Sequence, residues 1–204
     1  LIVANDTQRD LLYENNGNGT FTEKGQLSGI AFDENGKARA GMGIDTGIID
    51  GSGREVVFVG NFSKEMIAVF QHIGDGLFVD RAARSQICRP SLLTLTFGLT
   101  LLDIDLDGDL DLFIGGRQVP GYYPFTPKSL LLKNENGVFH NATIFSRDLT
   151  YIGMVTQSLF EDIDADGDLD LICVGEWMPI TILENDKGIF TNVTEKYGLS
   201  NTVG

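Results

Sequence analysis

A hairpin pattern that recurs along the chain is the feature that most limits its fold. Each copy is an apolar stretch, a turn rich in Asn, Asp and Gly, and a second stretch that opens with Gly-x-Phe. Such turns between apolar stretches favour β-hairpins, because Asn, Asp and Gly tolerate positive φ. The spacings between the phenylalanines of successive copies are 57, 61 and 51 residues. These phenylalanines are Phe21, Phe78, Phe139 and Phe190.

Further strand-like segments precede the hairpins. An apolar segment comes before each hairpin, at 1–4, 56–60, 112–115 and 171–175, and a glycine-containing segment comes before the last three of these, at 41–44, 97–100 and 152–155. The 3.6-residue periodicity of helical repeats is missing. Four antiparallel strands in each repeat are typical of a propeller blade. The sequence therefore predicts an all-β chain, a partial β-propeller of about three to four four-stranded blades.

The repeats divide the chain into units of one β-propeller region spanning residues 1–204. The units are 1–38, which is incomplete, then 39–91, 92–147 and 148–200, with 201–204 as the start of a further strand. Two arrangements are open: the chain is a fragment of a larger ring, or its C-terminal piece completes the N-terminal blade. We favour the fragment, because rings of four blades are at the low end of the propeller range.

Two acidic segments between the predicted first and second strands of the last two units suggest a metal site. Each has five aspartates in nine residues, with glycine in the sixth position. The carboxylates would repel one another without a cation, and hard oxygen ligands in a flexible loop favour calcium. The sequence therefore predicts two Ca²⁺ sites. The candidate ligands are Asp103, Asp105, Asp107, Asp109 and Asp111 in the first loop, and Asp162, Asp164, Asp166, Asp168 and Asp170 in the second.

Neither loop is an EF-hand, and the corresponding loop of the second unit is degenerate. An EF-hand needs a bidentate Glu at position 12, where these loops have Ile114 and Cys173. In the second unit the stretch 48–56 keeps Asp50 but loses most of the other acidic positions and gains Arg54. We expect a turn held by its own side chains there, with no calcium.

The charge balance excludes some partners. The chain has 29 acidic and 15 basic residues, for a formal net charge of −14. Nucleic acids and anionic membranes need clustered Lys and Arg, so neither is expected as a partner. No apolar stretch reaches the roughly 18 residues of a spanning helix, which excludes membrane insertion by a helix. With Leu1 first and no basic region before the apolar start, the chain is expected to be a mature piece or a fragment.

Aromatic residues outside the repeat pattern are candidates for ligand binding. Tyr122 and Tyr123, with Arg117, are assigned to a long insertion between the second and third strands of the third unit. Long loops on rigid scaffolds often contain functional residues. Trp177 is the only tryptophan and lies in a connection between strands. No grouping typical of a catalytic triad is visible.

These motifs together resemble FG-GAP/VCBS repeats over essentially the whole chain. The resemblance depends on Phe97-Gly98, the loop from Asp103 to Asp111, and Gly115-Gly116. The segments 15–22 and 175–179 are similar to bacterial VCBS-repeat proteins of the cartilage-acidic-protein (ASPIC/UnbV) type, while integrin α-subunits have related repeats. The resemblance implies a calcium-stabilised propeller outside the cytoplasm: extracellular, on the cell surface or periplasmic.

Two functions are consistent with these observations. The first is a non-enzymatic binding or adhesion scaffold for a protein or glycan ligand, with calcium in a structural role. The second is a polysaccharide lyase or hydrolase on the same scaffold, since one fold supports many functions. A catalytic site would need an acid/base pair outside the aspartate loops, and the sequence shows none. The first function is therefore preferred.

Overall fold

The computed structural model describes residues 1–203, apart from the side chain of Cys88. Within them the strands form four antiparallel sheets in chain order, the first with three strands and the others with four. The prediction of an all-β chain is confirmed. The strands are β1 (Ile2–Val3), β2 (Leu11–Asn15) and β3 (Phe21–Glu23) in the first sheet; β4 (Gly41–Ile48), β5 (Glu55–Asn61), β6 (Ala68–Gly74) and β7 (Leu77–Asp80) in the second; β8 (Leu95–Leu102), β9 (Asp111–Gln118), β10 (Leu130–Glu135) and β11 (Val138–Asn141) in the third; and β12 (Met154–Glu161), β13 (Asp170–Glu176), β14 (Thr181–Asp186) and β15 (Ile189–Asn192) in the fourth.

Each sheet is a meander in which consecutive strands pair. The predicted hairpins are β2–β3, β6–β7, β10–β11 and β14–β15. The glycine-containing strands are longer than the sequence pattern indicates, because β4, β8 and β12 each extend over eight residues. Their pairing with the next strand continues to the edge of the following loop, as in Leu102 opposite Asp111. Hydrogen bonding to the next strand thus holds these segments in a β conformation, although their hydropathy alternates poorly.

Short helical turns connect one sheet to the next. They were not expected from the sequence, since each is only three or four residues long. They are α1 (Gly25–Ser28), α2 (Ala82–Ser85), α3 (Cys88–Ser91), a 3₁₀ turn (Thr143–Phe145) and α4 (Arg147–Thr150). Among the described residues, no helix has the length and apolar character that a membrane crossing requires.

The hydrophobic cores lie between successive sheets. Phe58 of the second sheet packs with Leu132 and Phe139 of the third, and the two phenyl rings meet edge to face with centroids 5.9 Å apart. Between the third and fourth sheets, fully buried Phe113 belongs to one cluster with Leu183. The middle strands of a sheet are therefore covered on both faces, which accounts for their continuous apolar runs. Cys173, in β13, is a free and fully buried thiol in this cluster.

Glycines in the first strands allow neighbouring sheets to approach closely. A Cβ added at Gly43 in β4 would lie 2.3 Å from the carbonyl oxygen of Phe97 in β8. At Gly98 in β8 the added atom would lie 3.1 Å from Cγ1 of Val155 in β12. The glycine of the Phe-Gly pair thus lies in tight contact with the next sheet.

A buried asparagine lies near the end of the third strand in each of the last two sheets, and it connects the hairpin with the preceding sheet. The Asn134 amide donates to the carbonyl oxygens of Ile49 (2.7 Å) and Leu110 (3.0 Å). Asn185, at the same position of the next sheet, donates to those of Ile104 (2.8 Å) and Leu169 (3.2 Å). Each side chain therefore connects its hairpin with the preceding sheet.

The C-terminal residues lie back on the fourth sheet. The Thr202 hydroxyl accepts a hydrogen bond of 2.8 Å from the Ile180 backbone. The described residues 201–203 contain no strand, and Gly204 lies outside the described residues. The further strand at 201–204 and the unit boundaries stay predictions.

Candidate functional site

The two aspartate loops join β8 to β9 and β12 to β13, at the same end of adjacent sheets. In the first, the Asp103 carboxylate accepts hydrogen bonds from the backbone of Asp107 (3.1 Å) and Gly108 (2.9 Å). In the second, Asp162 accepts from Asp166 and Gly167 in the same way, both at 3.2 Å. The sixth-position glycines have φ of 94° and 100°, which is why glycine is required there. The loops thus share one backbone conformation.

The last aspartate of each loop is completely buried. Asp111 accepts hydrogen bonds from the backbone of Ile104 (3.0 Å) and Asn134 (2.7 Å), and Asp170 makes the equivalent bonds in its own loop, both of 2.9 Å. Burial raises the pKa of Asp111 to about 6 against the lowering effect of these bonds, and repulsion from Asp105 contributes to the rise. These carboxylates therefore fix the base of each loop.

Three carboxylates converge in each loop. One oxygen of each of Asp103, Asp105 and Asp111 lies within 4.8 Å of the others, and the same holds for the second-loop set, Asp162, Asp164 and Asp166. Among the described residues, Oδ1 of Asp105 is buried without a hydrogen-bond partner. A buried carboxylate oxygen without a donor fits a cation ligand, because leaving it unpaired is costly. The residues present thus fit an oxygen-ligated ion such as Ca²⁺.

The aspartate at the seventh position of each loop accepts a hydrogen bond from the neighbouring hairpin turn. Oδ2 of Asp109 accepts a hydrogen bond of 3.0 Å from the backbone of Asn136, in the adjacent hairpin turn. Asp168 accepts one of 2.9 Å from the backbone of Lys187. One oxygen of each of these carboxylates therefore holds the neighbouring turn, and neither residue is among the three carboxylates that converge in its loop.

The surroundings of the two loops differ in charge. Lys133 of β10 forms ion pairs with Asp105 and, at 3.2 Å, with Asp107. The Asp109 backbone N–H and the Lys133 ammonium lower the pKa of Asp107. Lys133 immediately precedes the buried Asn134. The equivalent residue of the next sheet, before Asn185, is Glu184, which pairs with Lys196. The first loop thus pairs directly with a lysine, whereas the corresponding residue beside the second loop is a carboxylate that pairs with a lysine of its own.

The loop of the second sheet is a short side-chain-stabilised turn. Asp50 accepts a hydrogen bond of 2.9 Å from the backbone of Ser52, whose hydroxyl accepts one of 3.3 Å from Arg54. The backbone of Gly51 donates to the Asn136 side chain at 3.1 Å. The turn chemistry expected from the sequence is therefore present.

The candidate ligand residues lie at the opposite end of the sheets, and three of them meet around Glu176. The Arg117 guanidinium forms an ion pair with this carboxylate, and the Tyr123 hydroxyl donates to it at 2.7 Å. The Trp177 indole N–H donates to the Tyr123 oxygen at 2.7 Å and to Glu176 at 3.2 Å. We call Arg117, Tyr123, Glu176 and Trp177 the aromatic cluster.

Sequence reasoning partly misplaced this region. Arg117 belongs to strand β9 and not to the insertion, because pairing of β9 with β8 continues to Gln118. Glu176, at the centre of the cluster, was not among the candidate residues, although it lies in the segment 175–179 that contributes to the family resemblance. A second signal is spacing: Arg117 and Glu176 are 59 residues apart, as are Asp103 and Asp162. Tyr122 is exposed but packs on Phe125, at 6.5 Å between ring centroids.

The hydroxyl and guanidinium partners lower the pKa of Glu176, with the Tyr123 hydrogen bond as the largest cause. The carboxylate therefore stays ionised and acts as an acceptor. The Arg117 guanidinium also lies over the ring of Phe97, 5.8 Å from its centroid. The cluster thus combines exposed aromatic rings with a neutralised pair of charges.

Comparison with known proteins gives a likeness of fold only. No protein-family model matches the sequence, and neither does any curated protein. Among solved structures, the chain is similar to a lectin from Agrocybe aegerita, described as recognising non-reducing terminal N-acetylglucosamine. The TM-score is 0.54 at 17% sequence identity, over 99% of this chain. The chain spans about half of that lectin, 49% of its length.

Proposed function

We propose that this chain is part of an extracytoplasmic, calcium-binding β-propeller of the FG-GAP/VCBS type that acts as a non-enzymatic binding scaffold. The observation that supports it most is the recurrence of one aspartate loop, with the same backbone and three convergent carboxylates, between the first and second strands of adjacent sheets. Two isolated acidic turns would have no reason to repeat the same hydrogen bonds 59 residues apart.

The packing of the sheets supports a propeller arrangement. The first strands adjoin from sheet to sheet, with β8 in contact with both β4 and β12. The cores lie between successive sheets, as they do where blades pack face to face around an axis. Meander sheets of four strands in chain order are the blades such a ring requires.

Calcium has a structural role in this proposal. An ion held by the first loop would connect the ends of β8 and β9, and one in the second loop would connect β12 and β13. Extracellular calcium modules bind at about 10⁻⁴–10⁻³ M, which suits a compartment rich in calcium. The ion would also neutralise carboxylates that otherwise add to the net charge of −14.

A glycan is the ligand class that we favour. The support is the fold likeness to a lectin over nearly the whole chain, together with the exposed aromatic cluster. A protein ligand is the other class consistent with a propeller scaffold. The chain's acidity leaves nucleic acid as an unfavoured partner.

Equilibrium dialysis with calcium tests the proposal. We expect two bound ions in the wild-type protein at millimolar calcium and one in Asp105→Ala and in Asp164→Ala. Asp50→Ala is the matched control, since this aspartate lies in the degenerate loop, and it should keep both ions. Absence of bound calcium at about 10 mM would overturn the calcium role. Incubation with a broad polysaccharide panel should give no cleavage, and cleavage of any member would favour the enzyme instead.

A further inference from the structure

The aromatic cluster exposes a large ring at an energetic cost. Trp177 is 64% exposed and Tyr123 is 50% exposed. Trp177 also has φ of 56°, in the left-handed region. For a residue other than glycine this conformation is strained. The fold thus keeps a strained backbone here while leaving its only tryptophan in water.

Hydrogen bonds fix the orientation of that ring. The indole N–H is bound to Tyr123 and Glu176, so the polar edge of the ring is satisfied within the protein. Glu176 is held in turn by Arg117, which lies in the neighbouring sheet. The ring faces are therefore presented in a defined position with little side-chain entropy left to lose on binding.

The polar groups beside the rings suit a neutral ligand. Arg117 and Glu176 neutralise each other, so the cluster has no net charge with which to attract a phosphate, a sulfate or a cation. Their side chains keep 20% and 34% of their surface exposed. A guanidinium can still donate to a ligand oxygen and a carboxylate can still accept from a ligand hydroxyl, and charge-assisted bonds of this kind are strong.

We propose that the aromatic cluster is a saccharide-binding site, in which a neutral pyranose stacks on the face of Trp177 and its hydroxyl groups bond to Glu176 and Arg117. A pyranose has an apolar C–H face and a polar hydroxyl rim, which matches exposed rings beside polar groups. The inference rests on the proposed binding function and places it at the end of the sheets opposite the aspartate loops.

A glycan array tests the site. The probes are printed neutral and sulfated oligosaccharides, including chains that end in non-reducing N-acetylglucosamine, at millimolar calcium. We expect the wild-type protein to bind neutral glycans and Trp177→Ala to bind them more weakly by about tenfold. Phe21→Ala removes an exposed ring of the first sheet, 55% exposed, and should bind like the wild type.

Fluorescence gives a second measurement on the same site. Because Trp177 is the only tryptophan, a soluble form of the best array glycan should change its emission directly. Trp177→Ala should melt cooperatively and show the same calcium-induced rise in Tm as the wild-type protein, which is the control that this variant folds. Undiminished array binding by folded Trp177→Ala would overturn the site and leave the binding function standing.

Two other outcomes also contradict the inference. Binding confined to sulfated glycans would overturn the neutral ligand, and binding to no glycan by the folded wild-type protein would remove the ligand class itself and leave a protein partner. In neither case is the calcium role affected, since equilibrium dialysis measures it independently.

Discussion

The two aspartate loops have nearly the same nine residues and the same backbone, but the residue at the corresponding position of the neighbouring strand has the opposite charge. They differ in sequence only at Leu106 and Ala165. Yet Lys133 pairs with two carboxylates of the first loop, while the corresponding residue of the next sheet is Glu184. The motif thus determines the shape of the loop, and a residue on another strand determines its electrostatics.

This difference should separate the calcium affinities of the loops. A pair of unit charges 4 Å apart interacts with about 1 kcal/mol in water and about 4 kcal/mol at an effective dielectric constant of about 20. Lys133 both occupies carboxylates and repels the ion. Glu184 attracts it, although Lys196 offsets part of that charge. The Asp164 pKa is raised, by desolvation and then by repulsion from Asp166 and Asp170, and Glu184 contributes to the rise. We therefore expect the second loop to bind calcium more tightly.

Removing calcium should have the largest effect. At about 10 mM calcium and a Kd of about 10⁻⁴ M, one site adds about 2.7 kcal/mol to the free energy of unfolding. For a chain of this size that corresponds to about 5–10 °C in Tm. Thermal melts with calcium and with EDTA measure the shift, and magnesium in place of calcium is the control for ionic strength. An unchanged Tm would contradict a structural role for the ion.

Single aspartate replacements should divide this shift unequally. At limiting calcium, Asp164→Ala is expected to abolish the larger part of the calcium-induced rise in Tm, because it disables the tighter site. Asp105→Ala should remove only the smaller part, and Asp50→Ala should leave the rise intact. Melts of the three variants over a calcium series test the order. Equal losses from the first two variants would mean that the loops are equivalent.

Exchanging the two nearby charges should reverse the order. Lys133→Glu removes the competing cation and adds a carboxylate, so we expect the calcium affinity of the first loop to rise about tenfold or more. Glu184→Lys should weaken the second loop in the same proportion. Lys24→Glu, which makes the same change of net charge beside the first sheet, is the matched control and should alter neither affinity. Unaltered affinities in Lys133→Glu would show that the ion pair has no influence on the site.

The smallest effects should appear without calcium and have opposite signs. Asp164→Asn relieves repulsion among the second-loop carboxylates and should raise the Tm of the calcium-free protein slightly. Asp105→Asn removes a partner of Lys133 and should lower it. Asp75→Asn, at an exposed hairpin turn, is the control for loss of one negative charge. A rise in Tm for both loop variants would mean that Lys133 does not stabilise the first loop.

Much of this molecule follows from local sequence. The hairpins were predictable because Asn, Asp and Gly have strong turn preferences, and the aspartate loops because alternating carboxylates around a glycine are typical of a tight metal-binding turn. The full length of β8 and the membership of Arg117 in β9 were not predictable, since both depend on pairing with another strand.

The contacts that distinguish the sites depend on register between distant segments. Lys133 reaches Asp105 across 28 residues, and Glu176 meets Tyr123 across 53. No motif selects Lys133, and the segment 175–179 that contains Glu176 does not indicate which side chains this carboxylate meets. The geometry of adjacent sheets was needed to find the charge beside the first loop and the centre of the aromatic cluster.

Calorimetric titration of the wild-type protein with calcium tests the central comparison most directly. We predict two sites of different affinity, of which Asp164→Ala loses the tighter and Asp105→Ala the weaker. Two sites of equal affinity, or loss of the tighter site in Asp105→Ala, would contradict the role assigned to Lys133 and Glu184.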